Sequence, residues 1–382
     1  MLIYYVIASA VTILLLLVFG FFWLRRWMQK SDADYVLKFI ANNPKRASLS
    51  IVRNGSDFAD FQSDELRPLA STVKIIVAIE YAHQAANGEI DVSERIKTHD
   101  LSRYYIPRTD GGAHETWLRS MESKEFLQGG TVSLEEVAKG MIAHSSNANT
   151  EYLMMRLGLD RINAKLKRLQ LPKHEQIYPI VSRLIIPYEI AQKNKLNIFE
   201  KADAKKVQTL IEEMSHEAYI DEAINIHTKL NEDHDGSYKE QVNLRAWHNM
   251  AFNDTASKRG IRSTTSEYVS VVQKINDLSY FTQAVQEHLR PIMEWPMENH
   301  KNQEKFYHLG GKGGSTAQIV TFALYAEDKQ GNKTELAIFF NDVLGYETTK
   351  LSNSLSAFQL AVVTASSNWE QKLSKLHNAK NV

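Results

Sequence analysis

The stretch RPLASTVKIIVAIEYA, residues 67 to 82, sets Ser71 and Lys74 three positions apart at the front of a run that is otherwise almost entirely apolar. Val73, Ile75, Ile76, Val77 and Ile79 make the run apolar nearly all round, which predicts a helix buried at the centre of its domain. Ser71 can cap that helix, and Lys74 falls on the same face within side-chain reach of it. A lysine at such a mouth loses water. Desolvation lowers the pKa of an amine, and a neutral amine beside a hydroxyl is a general base able to take its proton. The same two residues also read as a capping serine and a lysine snorkelling to the surface, so the rest of the chain has to decide between them.

On the N-terminal side, RASLSIVRNGSDFADFQ (46–62) reads as two short strands joined at Asn54-Gly55, a favoured two-residue hairpin turn. Strand signals return only at FYHLGGKGGSTAQIVTFALYAED (306–328) and TELAIFFNDV (334–343), separated by the turn KQGN (329–332). The interval is mostly helical. It includes 131–146, with Thr131 or Ser133 as N-cap, and 262–277, with Thr264 or Thr265 in that role. A final amphipathic stretch from Ser352 to about Leu376 can pack on the sheet. Strands at both ends around a helical middle predict an α+β domain, with an antiparallel sheet completed by distant parts of the chain and a mainly helical lobe.

The 382 residues, 43% of them hydrophobic, can supply a sizeable core. Lys+Arg and Asp+Glu are equal at 45 each and no basic block is interleaved with aromatics, so nucleic-acid binding is not expected. The absence of cysteine excludes thiolate catalysis, cysteine zinc sites and disulfides. HETWL, HEQIY and HEAYI all lack the second histidine of a zinc-protease motif. NEDHDGSYKEQV (231–242) places Asn231, Asp233, Asp235 and Gly236 as a calcium loop would, but closes on Val242 where the loop needs glutamate. No metal or cofactor is expected.

Met1 to Leu24 carries no charged side chain and as a helix would span about 35 Å, enough for a bilayer core. The uncharged start and the ending Trp23, Leu24, Arg25 and Arg26 read as a retained single-pass anchor over residues 1–30, with the soluble domain at 31–382. Arg25, Arg26 and Lys30 would favour a cytoplasmic domain by the positive-inside rule.

Two further stretches bear on the opening pair. GMIAHSSNANTEYLMM (140–155) runs as a helix into Ser145, Ser146 and Asn147 and then resumes apolar spacing. Such a cluster serves equally as turn and cap chemistry, or as a proton-shuttling hydroxyl with an amide that holds a carbonyl or the lysine. HLGGKGGSTAQIV (308–320) sets Lys312 among glycines as a strand begins, which permits close approach of another backbone or a ligand.

Ser-x-x-Lys, Ser-x-Asn and Lys-Gly-Gly occur in that order, and on them the sequence resembles the serine penicillin-recognising family, closest to the class A β-lactamases. The resemblance spans about residues 45–376 and includes NGEIDVSERI, TVSLEEVAKGMIAHSSN and STTSEYVSVVQKI. It implies that Ser71 attacks an amide or ester carbonyl to give an acyl-enzyme, with Lys74 as base. It further implies that Ser145 relays the proton and that Asn147, Lys312, Gly314 and Ser315 bind substrate, with the backbone N–H groups of Ser71 and Ser315 holding the oxyanion. A second lysine nearby would help to keep Lys74 neutral.

Three departures stand out. Ser146 occupies a position where class A enzymes usually have aspartate, and Gly313 replaces the usual threonine or serine. The loop LQLPKHEQIYPIVSRLIIPYE also lacks the Glu-x-x-Leu-Asn run that positions the deacylating base, leaving Glu175 as the nearest candidate and Glu189 as a later one. Extra sequence over about 184–247 reads as an insertion in the helical lobe. The resemblance implies a membrane-anchored serine acyl-hydrolase of class A type that hydrolyses a β-lactam amide through Ser71. Its alternatives are a D-Ala-D-Ala carboxypeptidase or esterase with slow deacylation, and a sensor that binds β-lactam or peptidoglycan without turnover. The expected partners are a β-lactam or peptidoglycan-peptide-like small molecule and the lipid bilayer, with the chain monomeric. Such a substrate puts the domain outside the cytoplasm, against the charge rule.

Overall fold

A computed structural model describes residues 1–107, 109–364 and 367–378. Helix α1 (Leu2–Gln29) leaves Leu, Phe and Trp side chains exposed along its length. Among the described residues it is the one helix long and apolar enough to cross a membrane, over Ser9–Gln29 with a mean hydropathy of 1.7. Helix α2 (Ala33–Asn42) follows, and then β1 (Ala47–Arg53) and β2 (Ser56–Phe61) form the expected hairpin, with both Asn54 and Gly55 at positive φ.

Four elements position the site before the sheet resumes. Helix α3 (Lys74–Ala86) is buried on nearly every face. After it come α4 (Asn147–Leu157), α5 (His216–Glu232) and α6 (Thr265–Asn276). Strands β3 (Phe306–Ser315), β4 (Val320–Asp328) and β5 (Lys333–Phe340) then complete an antiparallel sheet in the order β2-β1-β5-β4-β3. Leu49 of β1 lies opposite Ile338 of β5, so the two ends of the domain close one sheet. Both faces are covered, so β1 is buried at six consecutive positions even though Ser48 and Ser50 alternate with its apolar residues. Leu49, Ile51, Leu336, Ile338 and Phe340 pack under α2, α7 (Gly345–Val363) and α8 (Ser367–Asn378), and the opposite face carries α6 and joins the core around α3.

Of the alternative caps, Ser133 accepts from the amide of Glu136 at 3.2 Å and Thr264 from that of Glu267 at 3.1 Å. Thr131 instead lies in a short strand, Thr131–Ser133, paired with Arg95–Lys97. A second such pairing joins Arg67–Pro68 to Arg262–Ser263. Strands of two or three residues carry no readable period. The C-terminal helix expected from Ser352 starts at Gly345 and gives way to α8 after Val363, with the junction at 365–366 outside the described residues.

The last turn of α1 is capped by the domain. Lys350 Nζ on α7 donates to the carbonyls of Trp27 (3.0 Å) and Lys30 (2.6 Å), and Asn353 Nδ2 donates to that of Met28 (3.0 Å). These bonds satisfy carbonyls that a helix end leaves without intrahelical partners.

Candidate active site

Ser71 is not a helix cap. Residues Ala70–Val73 form a 3-10 turn and α3 begins only at Lys74, with Val73 in the cap position and no side-chain cap bond. The hydroxyl is thereby released to face a cavity. Ala70 holds φ 46°, a left-handed conformation that costs a residue with a Cβ about 1 kcal/mol and persists only where its surroundings enforce it. Those surroundings are polar tethers from both sides. Buried Arg67 donates to the carbonyls of Lys45 (2.8 Å) and Ala47 (2.9 Å), and the amide of Leu69 donates to Ile261 (2.9 Å). Thr321 Oγ1 on β4 donates to the carbonyl of Leu69 (2.8 Å) and so accepts from Thr72 Oγ1 (2.8 Å).

Lys74 has no exposed surface. Its Nζ donates to the carbonyl of Ser145 and to Asn147 Oδ1, both at 2.8 Å, with Ser145 Oγ at 3.4 Å. Burial first, and then the charge of Lys312, push this amine well below the ordinary lysine value, against the pull of Asp110 and Glu151. A neutral amine has two N–H donors. The two carbonyl oxygens use both, which leaves the lone pair available for a proton.

The backbone at the second motif is shaped for that grip. Ser145 ends a wide helical turn, Gly140–His144, with φ 66°, and Ser146 then caps α4 by accepting from the amide of Asn149 (3.2 Å). Fully buried Ser146 also donates to Asn149 Oδ1 (2.9 Å) and meets His114 Nδ1 (2.9 Å). This network fixes the Ser145 carbonyl and Asn147 where Lys74 needs them.

At the third motif two glycines have different reasons. A Cβ on Gly314 would fall 2.5 Å from the Ser71 amide nitrogen, so β3 can run against the Ser71 turn only without a side chain there. A Cβ on Gly313 would fall 2.8 Å from the ring of Phe322, its cross-strand partner, which fills the space a threonine or serine would take. Lys312 is 4% exposed, donates to the Gly313 carbonyl (2.7 Å) and is pushed down to about 7 by burial.

Two cavities, of about 580 and 510 Å3, share Ser71, Asn147 and Ser315 in their walls, and the smaller also takes in Ser145 and Gly314. Lys74 reaches this place through its bonds to Ser145 and Asn147, and Lys312 sits behind the wall, lining neither cavity. Glu175 is elsewhere: its carboxylate accepts from the backbone and guanidinium nitrogens of Arg262 (2.9 and 2.8 Å), and it lines neither cavity. Glu189 is likewise held away, by Lys229 (2.7 Å) and the Tyr238 hydroxyl (2.5 Å). Among the described residues no carboxylate lines the larger cavity, and Asp110 alone lines the smaller, its oxygens taken by the amides of Gly112 and His114. Sequence reasoning missed Thr321, although a threonine inside the apolar run of β4 is a visible signal. It had no means of finding the strained Ala70.

The profile of the beta-lactamase enzyme family matches residues 33–357. A search of curated proteins finds no match. Among solved structures the chain is similar to TLA-3 extended-spectrum beta-lactamase, at 13% identity and a TM-score of 0.50, covering 87% of this chain and 100% of that one. It is similar also to a class A beta-lactamase from Bacteroides cellulosilyticus, at 14% identity and a TM-score of 0.48, covering 90% of this chain and 96% of that one. A third is PBP-A in an acyl-enzyme complex with penicillin G, at 12% identity and a TM-score of 0.48, covering 86% of this chain and 96% of that one. At these identities the likeness speaks for the fold, and the profile for the family: the chain belongs to the beta-lactamase enzyme family and is a serine hydrolase of β-lactamase type.

Proposed function

We propose that the chain is a membrane-anchored acyl-hydrolase that opens a β-lactam amide through an acyl-enzyme on Ser71. Lys74 takes the hydroxyl proton as Oγ bonds to the carbonyl carbon. The oxyanion is held by the N–H groups of Ser71 and Ser315, the C–N bond breaks, and Ser145 relays the proton to the leaving nitrogen. The observation that carries this reading is the buried Lys74 amine, held by two carbonyl oxygens at 2.8 Å beside a cavity that Ser71 lines. Labelling of the full chain in detergent with a fluorescent penicillin tests it: a band competed by unlabelled penicillin is expected, and an unlabelled chain would refute it.

A slow second half-reaction is favoured by the lack of any carboxylate among the described residues of the larger cavity. A positioned base contributes about 10² to 10⁴-fold, so acylation would outrun release by a comparable factor. This suits a D-Ala-D-Ala carboxypeptidase or esterase of low turnover, or a sensor, better than a fast β-lactamase. Release of D-alanine from an acyl-D-Ala-D-Ala peptide separates the first from the last.

The anchor reading is supported by the capping of α1 by Lys350 and Asn353, a contact that removal of the segment would forfeit. Alkaline extraction of membranes should leave a chain of full mass in the pellet. A soluble chain shortened at its N-terminus would contradict retention. We read about 184–247 as an insertion, and its helix α5 is fastened to α4 where His227 Nδ1 meets Glu151 at 2.7 Å.

Two substitutions probe the frame. Gly314→Ala drives a methyl into the Ser71 amide and displaces the oxyanion donors, so acylation should fall about 10²-fold, the effect of a misplacement near 1 Å, with a loss of stability of about 1 to 3 kcal/mol from the overpacking. Ser146→Asp gives up the donor to Asn149 Oδ1 but keeps an oxygen acceptor for the Asn149 amide and gives His114 a carboxylate partner. Stopped-flow acylation should stay within about threefold of the parent or rise, since the cap is retained.

A further inference from the structure

Ser71 stands where the two cavities meet, and the proton route tells them apart. In the proposed mechanism the leaving nitrogen collects its proton from Ser145, which lines the smaller cavity only, so the leaving group departs on that side. The acyl portion that stays on Ser71 therefore extends into the larger cavity. That cavity is walled by residues 180–184 and 244–260, and it presents Arg183, Arg245, Asn249 and Asn253 with no carboxylate among the described residues.

The two arginines are uncommitted in charge. Neither forms an ion pair among the described residues; the Arg183 guanidinium donates to the Tyr178 hydroxyl, and its Nε is buried without a hydrogen-bond partner. Arg183 is also held in place by the catalytic helix. The adjacent Val181 amide and Ser182 hydroxyl both donate to Glu151, at 2.7 and 2.8 Å, and Glu151 lies one turn beyond Asn147 on α4. Gly260 leaves room for the guanidinium, since a Cβ there would lie 3.3 Å from Nη1 of Arg183. Lys312, the cation that the resemblance assigns to a substrate carboxylate, lies behind the wall of both cavities.

We propose that Arg183 and Arg245 form an anion subsite that binds a carboxylate on the acyl portion of the substrate, making the enzyme selective for acidic acyl donors. The subsite rests on Ser71 being the acylated residue. It is tested on the full chain in detergent with two penicillins of one nucleus, one bearing a carboxylate on its acyl side chain and the other a neutral side chain. The Arg183→Gln/Arg245→Gln double variant should lose about tenfold in acylation rate with the anionic probe while the neutral probe reacts as before. Arg245→Gln alone, on an exposed side chain, should move the preference in the same direction without any burden on folding. An unchanged preference, or an equal loss with both probes, overturns the subsite. Should the parent react with neither probe, the Ser71 reading fails by itself. Calorimetry with the monoamide of phenylmalonic acid against phenylacetamide still decides the subsite: preferential binding of the acid, lost in the double variant, supports it, and equal or absent binding overturns it.

Discussion

Ser71→Ala should abolish covalent labelling by a penicillin and leave the fold intact. The hydroxyl is outside the hydrogen-bond frame that holds its own turn. Arg67, the Leu69 amide and the Thr72–Thr321 pair carry that frame, and α3 starts without a side-chain cap from Ser71. Removing one half-buried oxygen should therefore shift stability by no more than about 0.5 kcal/mol. The chemical effect is total for covalent capture, because the proposed acyl-enzyme forms on Ser71, which lines both cavities. Ser145, whose Oγ lies 3.4 Å from Lys74 Nζ, is assigned the proton relay in that proposal. Gel labelling together with a melting curve checks both halves. Retained labelling would move the nucleophile elsewhere, and a collapsed melting curve would make Ser71 a structural residue.

Lys74→Ala should slow acylation by about 10² to 10⁴-fold, the worth of a positioned general base. It also deprives the Ser145 carbonyl and Asn147 of their shared donor, so the two effects need separating. The pH profile does this. The base works only when neutral, so the parent's acylation rises with pH through the folded pKa of Lys74, which burial and Lys312 hold well below the ordinary 10.5. In Lys74→Ala that limb disappears, whereas a purely structural loss would lower the profile without changing its shape. Stability moves the same way. Lys74 and Lys312 are both depressed when folded, so between about 7 and 10.5 the unfolded chain binds protons that the folded Lys312 has released. The contribution of these amines to stability accordingly grows as pH rises across that window and shrinks as it falls. A Lys312→Met variant should flatten the dependence of melting temperature on pH from 7 to 10.

Much of this was legible in the residues. The apolar run behind Lys74 specified a buried helix, and Asn54-Gly55 specified the hairpin, because periodicity and turn chemistry act locally. The pairing of β1 with β5 followed from strand signals at both ends with nothing between them to pair with. What stayed hidden depends on contacts between distant segments. The shift of Ser71 from cap to 3-10 turn is set by Arg67 and by Thr321, about 250 positions away, and not by its neighbours in sequence. Glycine at 313 looked like a lost hydroxyl and is also a place filled by Phe322 from the next strand. Glu175 looked available because its partner, Arg262, lies in a two-residue strand that no window could reveal.

Intact-mass spectrometry of the full chain, followed over time after addition of a penicillin and completed by peptide mapping, tests the nucleophile most directly. The structure predicts a single adduct with the mass of one penicillin, located on the peptide that carries Ser71, accumulating faster than it decays. No adduct, or an adduct on any other residue, would contradict it.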